Sequence, residues 1–241
     1  MLIRLLLLFC FLLQNADSVA KEEKTLQIRT IDVSPYGIIE DGKYNGIYYE
    51  LSNMLFENTK VKFENVIFPY ARIKHELKFG QADVTIMFKY PELAPYVKYV
   101  TPLPALRNVV IGRKGTSISS VDDLDGKVIA YLRGAKFSEQ IDNAENISKQ
   151  YVNDFKQGID MMRLNRVDAI IGPLSAILYS AKSIGVSQAF FGKAFTVSTK
   201  TPWLQVSKKS IKKIDLSIIE IELKKLIKEG RFTRLNEKYL N

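Results

Sequence analysis

Residues 80–115, GQADVTIMFKYPELAPYVKYVTPLPALRNVVIGRKG, carry the reading that decides the fold. Ala82 to Phe88 is a short, mostly apolar run containing Val84, Thr85 and Ile86, bounded by Gly80 and by Tyr90-Pro91. Such a run predicts a strand covered on both faces. Pro91, Pro95, Pro102 and Pro104 follow. Each fixes φ and biases the residue before it to extended geometry, so the segment stays out of helix. Val109, Val110 and Ile111 complete the extended run. A stiff connection between a finished strand and a new apolar pattern predicts a crossover between two lobes, with a ligand cleft beside it.

Upstream, Thr25 to Thr30 alternates like a first strand, and Ile31 to Gly37 is its exit loop. After the turn at Asp41-Gly42, Ile47, Leu51, Met54 and Leu55 fall at helical spacing. Val61 to Phe68 alternates again, and Pro69 opens a short helix over 71–79 that Gly80 closes. Strand, helix, strand, helix, strand implies parallel pairing with helical crossovers.

Downstream the pattern starts afresh. Lys127 to Leu132 is a strand, Gly134 opens a helix that includes Phe137 and Ser138, and Ile159 and Met162 share a helical face. Val167 to Ile171 is a further strand, and Pro173 starts a helix that Gly185 ends. Ala189 to Phe195 and Trp203 to Val206 are the last extended pieces, before an amphipathic helix from Asp215 to Gly230 and a final one through Tyr239. The expectation is an α/β protein of two lobes, each a mainly parallel sheet flanked by helices. The expected boundaries are 21–112 with 203–241 for the first lobe and 113–202 for the second.

The chain has 241 residues, enough for a large core, and 46% hydrophobic against 25% charged residues rules out wholesale disorder. The formal charge of +9 is a weak pointer to anionic partners, because many lysines crowd into 207–228, where they alternate with apolar residues as a solvated helix face does. Met1 to Leu13 carries Arg4 and then an unbroken apolar run, followed by a polar segment ending Ser18-Val19-Ala20. This is the pattern of a secretory signal over 1–20, cleaved after Ala20, and it predicts a periplasmic protein. The single cysteine, Cys10, falls inside it, so neither disulfides nor thiol chemistry are expected in the mature chain.

The sequence has no glycine-rich phosphate loop, no Gly-x-Ser-x-Gly elbow and no His-Glu-x-x-His pair. One histidine, His75, argues against a histidine zinc site and a nucleophile-histidine pair. No cofactor is expected, and the reading is not an enzyme.

Leu77 to Asp83 (LKFGQAD), Tyr90 to Leu103, Val121 to Gly134 (VDDLDGKVIAYLRG), Arg166 to Ala169 (RVDA) and the tail Leu223 to Tyr239 together resemble the bacterial extracellular solute-binding proteins of the polar amino acid class. The resemblance implies a type II periplasmic-binding-protein fold and a ligand held at the hinge. It also implies an ABC permease as partner, a monomer, and no nucleic acid. Two positions depart from the pattern. The arginine that holds the ligand carboxylate in such families corresponds to Leu93, and the aspartate that holds the ammonium corresponds to Pro173. Leucine cannot replace a bidentate arginine clamp. An ordinary α-amino acid is therefore not the expected solute.

Clefts in this kind of fold lie at the carboxyl ends of strands. Tyr36, Tyr70 and Phe88 occupy such positions; each either lays its ring against a ligand or packs over its turn. Arg72, Lys89 and Arg107 are the cations that would meet an anionic group, with a solvated role as the alternative for each. Phe137 and Ser138 lie in the second lobe's strand-to-helix turn, where free N–H groups and the Ser138 hydroxyl would bind an anionic or carbonyl oxygen, or simply cap a helix. The expected function is a receptor that closes on a small polar solute, anionic if one of these cations meets it, and delivers it to an importer. The alternative is a secreted dehydratase-like enzyme on the same fold, with Glu50 or Glu92 as the acid. A nucleic-acid or lipid binder rests on charge alone.

Overall fold

A computed structural model describes residues 25–59 and 61–240; the expected signal segment and Cys10 lie outside the described residues. Two five-stranded sheets are built, with a two-stranded hairpin beside the first. In chain order the first elements are β1 (Leu26–Ile31), the hairpin β2 (Ile38–Glu40) and β3 (Lys43–Asn45), α1 (Ile47–Thr59), β4 (Phe63–Phe68), α2 (Tyr70–Phe79) and β5 (Val84–Phe88). All five residues of β5 are buried, as its mostly apolar run predicts. Helix α2 stops at Gly80, whose φ of 75° lets its N–H reach the Glu76 and Leu77 carbonyls.

β6 (Val97–Pro102) and β7 (Leu106–Gly112) follow, but they belong to different sheets. The chain leaves the first sheet at Pro102, earlier than the expected boundary at 112. The extended run is thus two strands, and periodicity alone does not say which sheet supplies a strand's partners. The second sheet adds β8 (Val128–Leu132), β9 (Ser148–Val152), β10 (Ala169–Pro173) and β11 (Phe195–Lys200). It is flanked by α3 (Glu139–Asp142), α4 (Phe155–Arg163) and α5 (Leu174–Ser183). After Thr201 the chain returns as β12 (Pro202–Ser207), which pairs antiparallel with β5 and β6 in the first sheet. Helices α6 (Leu216–Lys228) and α7 (Arg231–Leu240) then pack on α1.

Each sheet is mainly parallel, as expected. In the first, β4, β1, β5 and β6 run one way and β12 lies antiparallel between β5 and β6; in the second, β9, β8, β10 and β11 run one way and β7 lies antiparallel between β10 and β11. Each reversed strand is the first the chain forms after a crossing. Two further expectations are corrected. Residues 133–138 form no helix, since α3 begins only at Glu139, and residues 188–190 form a short 3-10 turn rather than a strand.

The first lobe is tied internally by buried ions. Arg29 pairs with Glu76 at 2.8 Å, and Arg72 reaches the other oxygen of the same carboxylate at 2.8 Å. Asp83 accepts from the Gln27 N–H (2.7 Å), from Lys213 (2.9 Å) and from the Ser210 hydroxyl, joining β1 to the segment after β12.

Candidate functional site

The two lobes are pressed together. The Tyr36 hydroxyl, from the loop after β1, shares a hydrogen bond of 2.8 Å with Ser175 at the start of α5. Gly134, after β8, lies so close to the start of α2 that a Cβ there would sit 3.3 Å from the Ala71 backbone nitrogen. The positive φ of Gly134, 79°, also favours glycine.

Between the lobes lies an apolar joint. The first lobe lines it with Ile31, Val33, Tyr36, Tyr48, Tyr70 and Phe88, the second with Leu132, Phe137, Phe155 and Pro173, and the crossings with Leu106 and Pro202. The volume left is about 10 Å³, room for at most one water. At this place the cleft expected from the sequence is filled by side chains of both lobes, and the first lobe's aromatics pack on one another. Tyr36 stacks on Tyr48 with ring centroids 4.6 Å apart, and Tyr70 meets Tyr90 edge-on at 6.1 Å.

The joint is electrically neutral. Burial pushes the Tyr36 phenol up to about 12, and it raises Tyr48 and Tyr70 further above the ordinary tyrosine value. These hydroxyls therefore stay protonated as hydrogen-bond donors. The Tyr48 hydroxyl is buried and has no partner, although a buried phenol ordinarily finds one.

The structure brings Tyr36, Tyr70, Phe88 and Phe137 together in this lining. Ser138 is buried beside Phe137, but the N–H groups of both residues are turned to the Asp142 carboxylate at 3.2 and 3.4 Å. Tyr131 donates to the same oxygen. The turn expected to receive an anion thus already holds one. Arg72, Lys89 and Arg107 are exposed and none lines the joint. Arg72 is held by Glu76 and lies 3.4 Å from the centroid of the Phe68 ring; Lys89 lies 3.6 Å from that of Trp203. Trp203 thus packs with Lys89 and Tyr99 on β12, not between the lobes. Glu50 is bound by Lys238 and Tyr239, Glu92 by Lys74, and neither lines the joint.

Tyr48, Leu132 and Phe155 are lining residues that sequence reasoning did not single out. Tyr48 follows Ile47 at the head of α1, and the run Phe155, Ile159, Met162 has the spacing of one helix face behind the Asp154 cap, a signal that would have found Phe155.

Two other cavities frame the joint. A polar chamber of about 200 Å³ opens between the lobes at Asp32, Ser34, Asp154 and Lys156, and shares Val33, Leu132 and Phe155 with the joint. A groove of about 760 Å³ lies between α5 and the end of α7.

A profile of the bacterial extracellular solute-binding proteins, family 3, matches residues 28–241. The chain is 22% identical to the "Probable amino-acid-binding protein YxeM" of Bacillus subtilis (strain 168), over 94% of this chain and 88% of that one. Among solved structures it resembles an ancestral arginine-binding protein bound to arginine, with a TM-score of 0.76 and 21% identity over 90% of this chain and 98% of the other. It also resembles an ancestral amino acid-binding protein described as a precursor of cyclohexadienyl dehydratase, with a TM-score of 0.73 and 22% identity over 90% and 95%. These likenesses establish the two-lobe, type II periplasmic-binding-protein fold.

Proposed function

The chain belongs to the bacterial extracellular solute-binding proteins of family 3, and from that premise we propose that it is a periplasmic receptor whose lobes shut on a small, largely apolar and uncharged solute for an ABC importer. The observation that carries this reading is the joint itself. Ten of its twelve walls come from opposite lobes and meet in aromatic and aliphatic faces, with one partnerless phenol, Tyr48, aimed among them.

In this reading Tyr36, Tyr70, Phe88 and Phe137 sandwich the solute's apolar body, and the Tyr48 hydroxyl donates to its polar atom. Ser138 closes the far side of the Phe137 turn. An ordinary α-amino acid fits poorly. Leu93 and Pro173 stand where a carboxylate clamp and an ammonium acceptor are expected, and Asp142 occupies the amides that would receive an anion. A charged group brought into this joint would lose its hydration without a partner. The sequence leads to a small polar solute, anionic if a cation meets it, but that needs Arg72, Lys89 or Arg107 to enter the joint, and each has its own contacts or solvent outside it. Binding without turnover is the proposed role, with Glu50 and Glu92 both outside the lining.

With about 10 Å³ free, the solute enters only when the lobes part. Its binding energy then stabilises the shut form by the difference in its affinity for the two states. Cleavage after Ala20 and export are part of the proposal, checked by the N-terminal mass of protein recovered from the periplasm.

The test is thermal melting against a panel of phenols, indoles, neutral aliphatics, organic acids, amines and amino acids. Saturation at about 100 times Kd adds about 2.7 kcal/mol. A shift with neutral aromatic or aliphatic solutes supports the reading. A shift with amino acids alone, or a flat response to the whole panel, overturns it.

A further inference from the structure

Phe155 stands between two chambers. Together with Val33 and Leu132 it lines both the apolar joint and the polar chamber of about 200 Å³ beyond it. It is by far the largest of the three shared side chains, and it is 2% exposed. Its ring is seated on the backbone of Gly172, where a Cβ would lie 2.4 Å from the ring's Cζ and 2.5 Å from Cε1. Gly172 in β10 therefore provides the berth that lets the ring lie across the passage.

The chambers differ in chemistry. The joint offers neutral phenols and hydrocarbon. The chamber beyond the ring takes Asp32 from the first lobe and Asp154 with Lys156 from the second. The Asp154 carboxylate accepts from the Gln157 N–H at 2.7 Å as the cap of α4. Burial first, then the nearby Asp154 charge, raises the Asp32 carboxyl above its ordinary value, with Lys156 working in the opposite direction. A cation placed there would relieve the repulsion between the two acids.

We propose that Phe155 is the residue that sets the length and charge of the solute the joint accepts, by walling off a polar chamber suited to an ammonium head. Resting on the receptor reading above, this confines the natural solute to a short neutral body. It predicts that removing the ring converts the site to one for an aromatic body carrying an amine. The acids then meet the head while Tyr36, Tyr48, Tyr70 and Phe88 keep the body.

The experiment compares indole with tryptamine, by calorimetry at pH 7, on the purified wild-type protein, Phe155→Ala, and Phe155→Ala combined with Asp32→Asn. Phe155→Leu, which keeps an apolar side chain in the core, serves if the alanine variant does not fold. The expected result is that opening the wall tightens tryptamine binding by about tenfold or more, the worth of one charge-assisted hydrogen bond. Indole should gain less, and Asp32→Asn should abolish the difference. Equal tryptamine binding by wild type and variant overturns the proposal. So does a gain for indole as large as for tryptamine, or a tryptamine gain that survives Asp32→Asn. A wild-type protein that binds nothing in the wider panel refutes the receptor reading alone, because tryptamine binding gained by Phe155→Ala and lost again with Asp32→Asn still supports the wall, and no gain overturns it.

Discussion

Tyr36 of the first lobe and Ser175 of the second share a hydrogen bond of 2.8 Å across the joint. Most other contacts there are between apolar surfaces and carry no direction. This bond fixes how the two bodies meet. Tyr36→Phe keeps the ring stack with Tyr48 and removes only the bond, at a cost to the shut form of about 0.5–1.5 kcal/mol. Small-angle scattering of the solute-free variant should show a larger radius of gyration than wild type, and an unchanged radius would show that the bond does not hold the lobes together.

Tyr48→Phe separates a solute-binding hydroxyl from a structural one. Its phenol is buried without a partner, so its loss should leave the empty protein's stability unchanged or raised, by up to about 1–3 kcal/mol of relieved desolvation. Affinity for a solute with a hydrogen-bond acceptor should fall by about tenfold, while affinity for the corresponding hydrocarbon holds. Destabilisation of the empty variant would refute the role.

The joint's neutrality has a pH signature. The Tyr36 phenol is pushed up to about 12 by burial, and Tyr48 and Tyr70 are raised further. Binding of a neutral solute should therefore stay flat from about pH 6 to pH 10, where phenols of ordinary pKa would be about half ionised. A loss of affinity centred near pH 10, followed by titration calorimetry, would contradict the burial of these hydroxyls.

Glu76 is the keystone of the first lobe's ion network. Burial works to raise its carboxyl, but hydrogen bonds and charge from Arg72 and Arg29 win and leave it lowered. A lowered carboxyl means stability fully present above the unfolded value near 4.5 and lost as pH falls through the folded value. Urea unfolding between pH 5 and pH 3 should show this loss, and Glu76→Gln should flatten the slope. Because the substitution leaves Arg29 buried and uncompensated, it should also cost about 3–5 kcal/mol at neutral pH.

Gly172→Ala tests the berth of Phe155. The added methyl meets the ring at 2.4 Å, an overpacking expected to cost about 1–3 kcal/mol. Phe155→Leu added to it should recover part of the loss in thermal unfolding. Additive effects would show that the two residues do not share the space.

Much of the fold could be read from the chain. The mostly apolar run 84–88 specified a buried strand, and Gly80 marked the end of the helix before it. The second lobe was legible as a pattern that restarts after the prolines. The boundary at 112 was misplaced because β6 and β7 look alike in sequence, and only their partners, β12 for one and β10 with β11 for the other, tell them apart. In the site, Leu93 and Pro173 stand out only against the pattern of the family that the chain resembles. Arg72 could have been assigned to Glu76, one turn on along the same helix, but Lys89 could not be placed, because its partner Trp203 is remote in sequence. The Phe137 turn misled for a different reason, since Asp142 at the end of the short α3 that follows takes its amides.

Gly134 works as a latch seat without a stop. A methyl at that point would come within 3.3 Å of the Ala71 backbone nitrogen, tight enough that one lobe would have to give way by a few tenths of an ångström. In the proposed receptor, bulk at this glycine would therefore bear on how closely the empty protein shuts. In the proposed importer cycle, it would also govern how often an unloaded receptor presents itself to the permease in the posture of a loaded one.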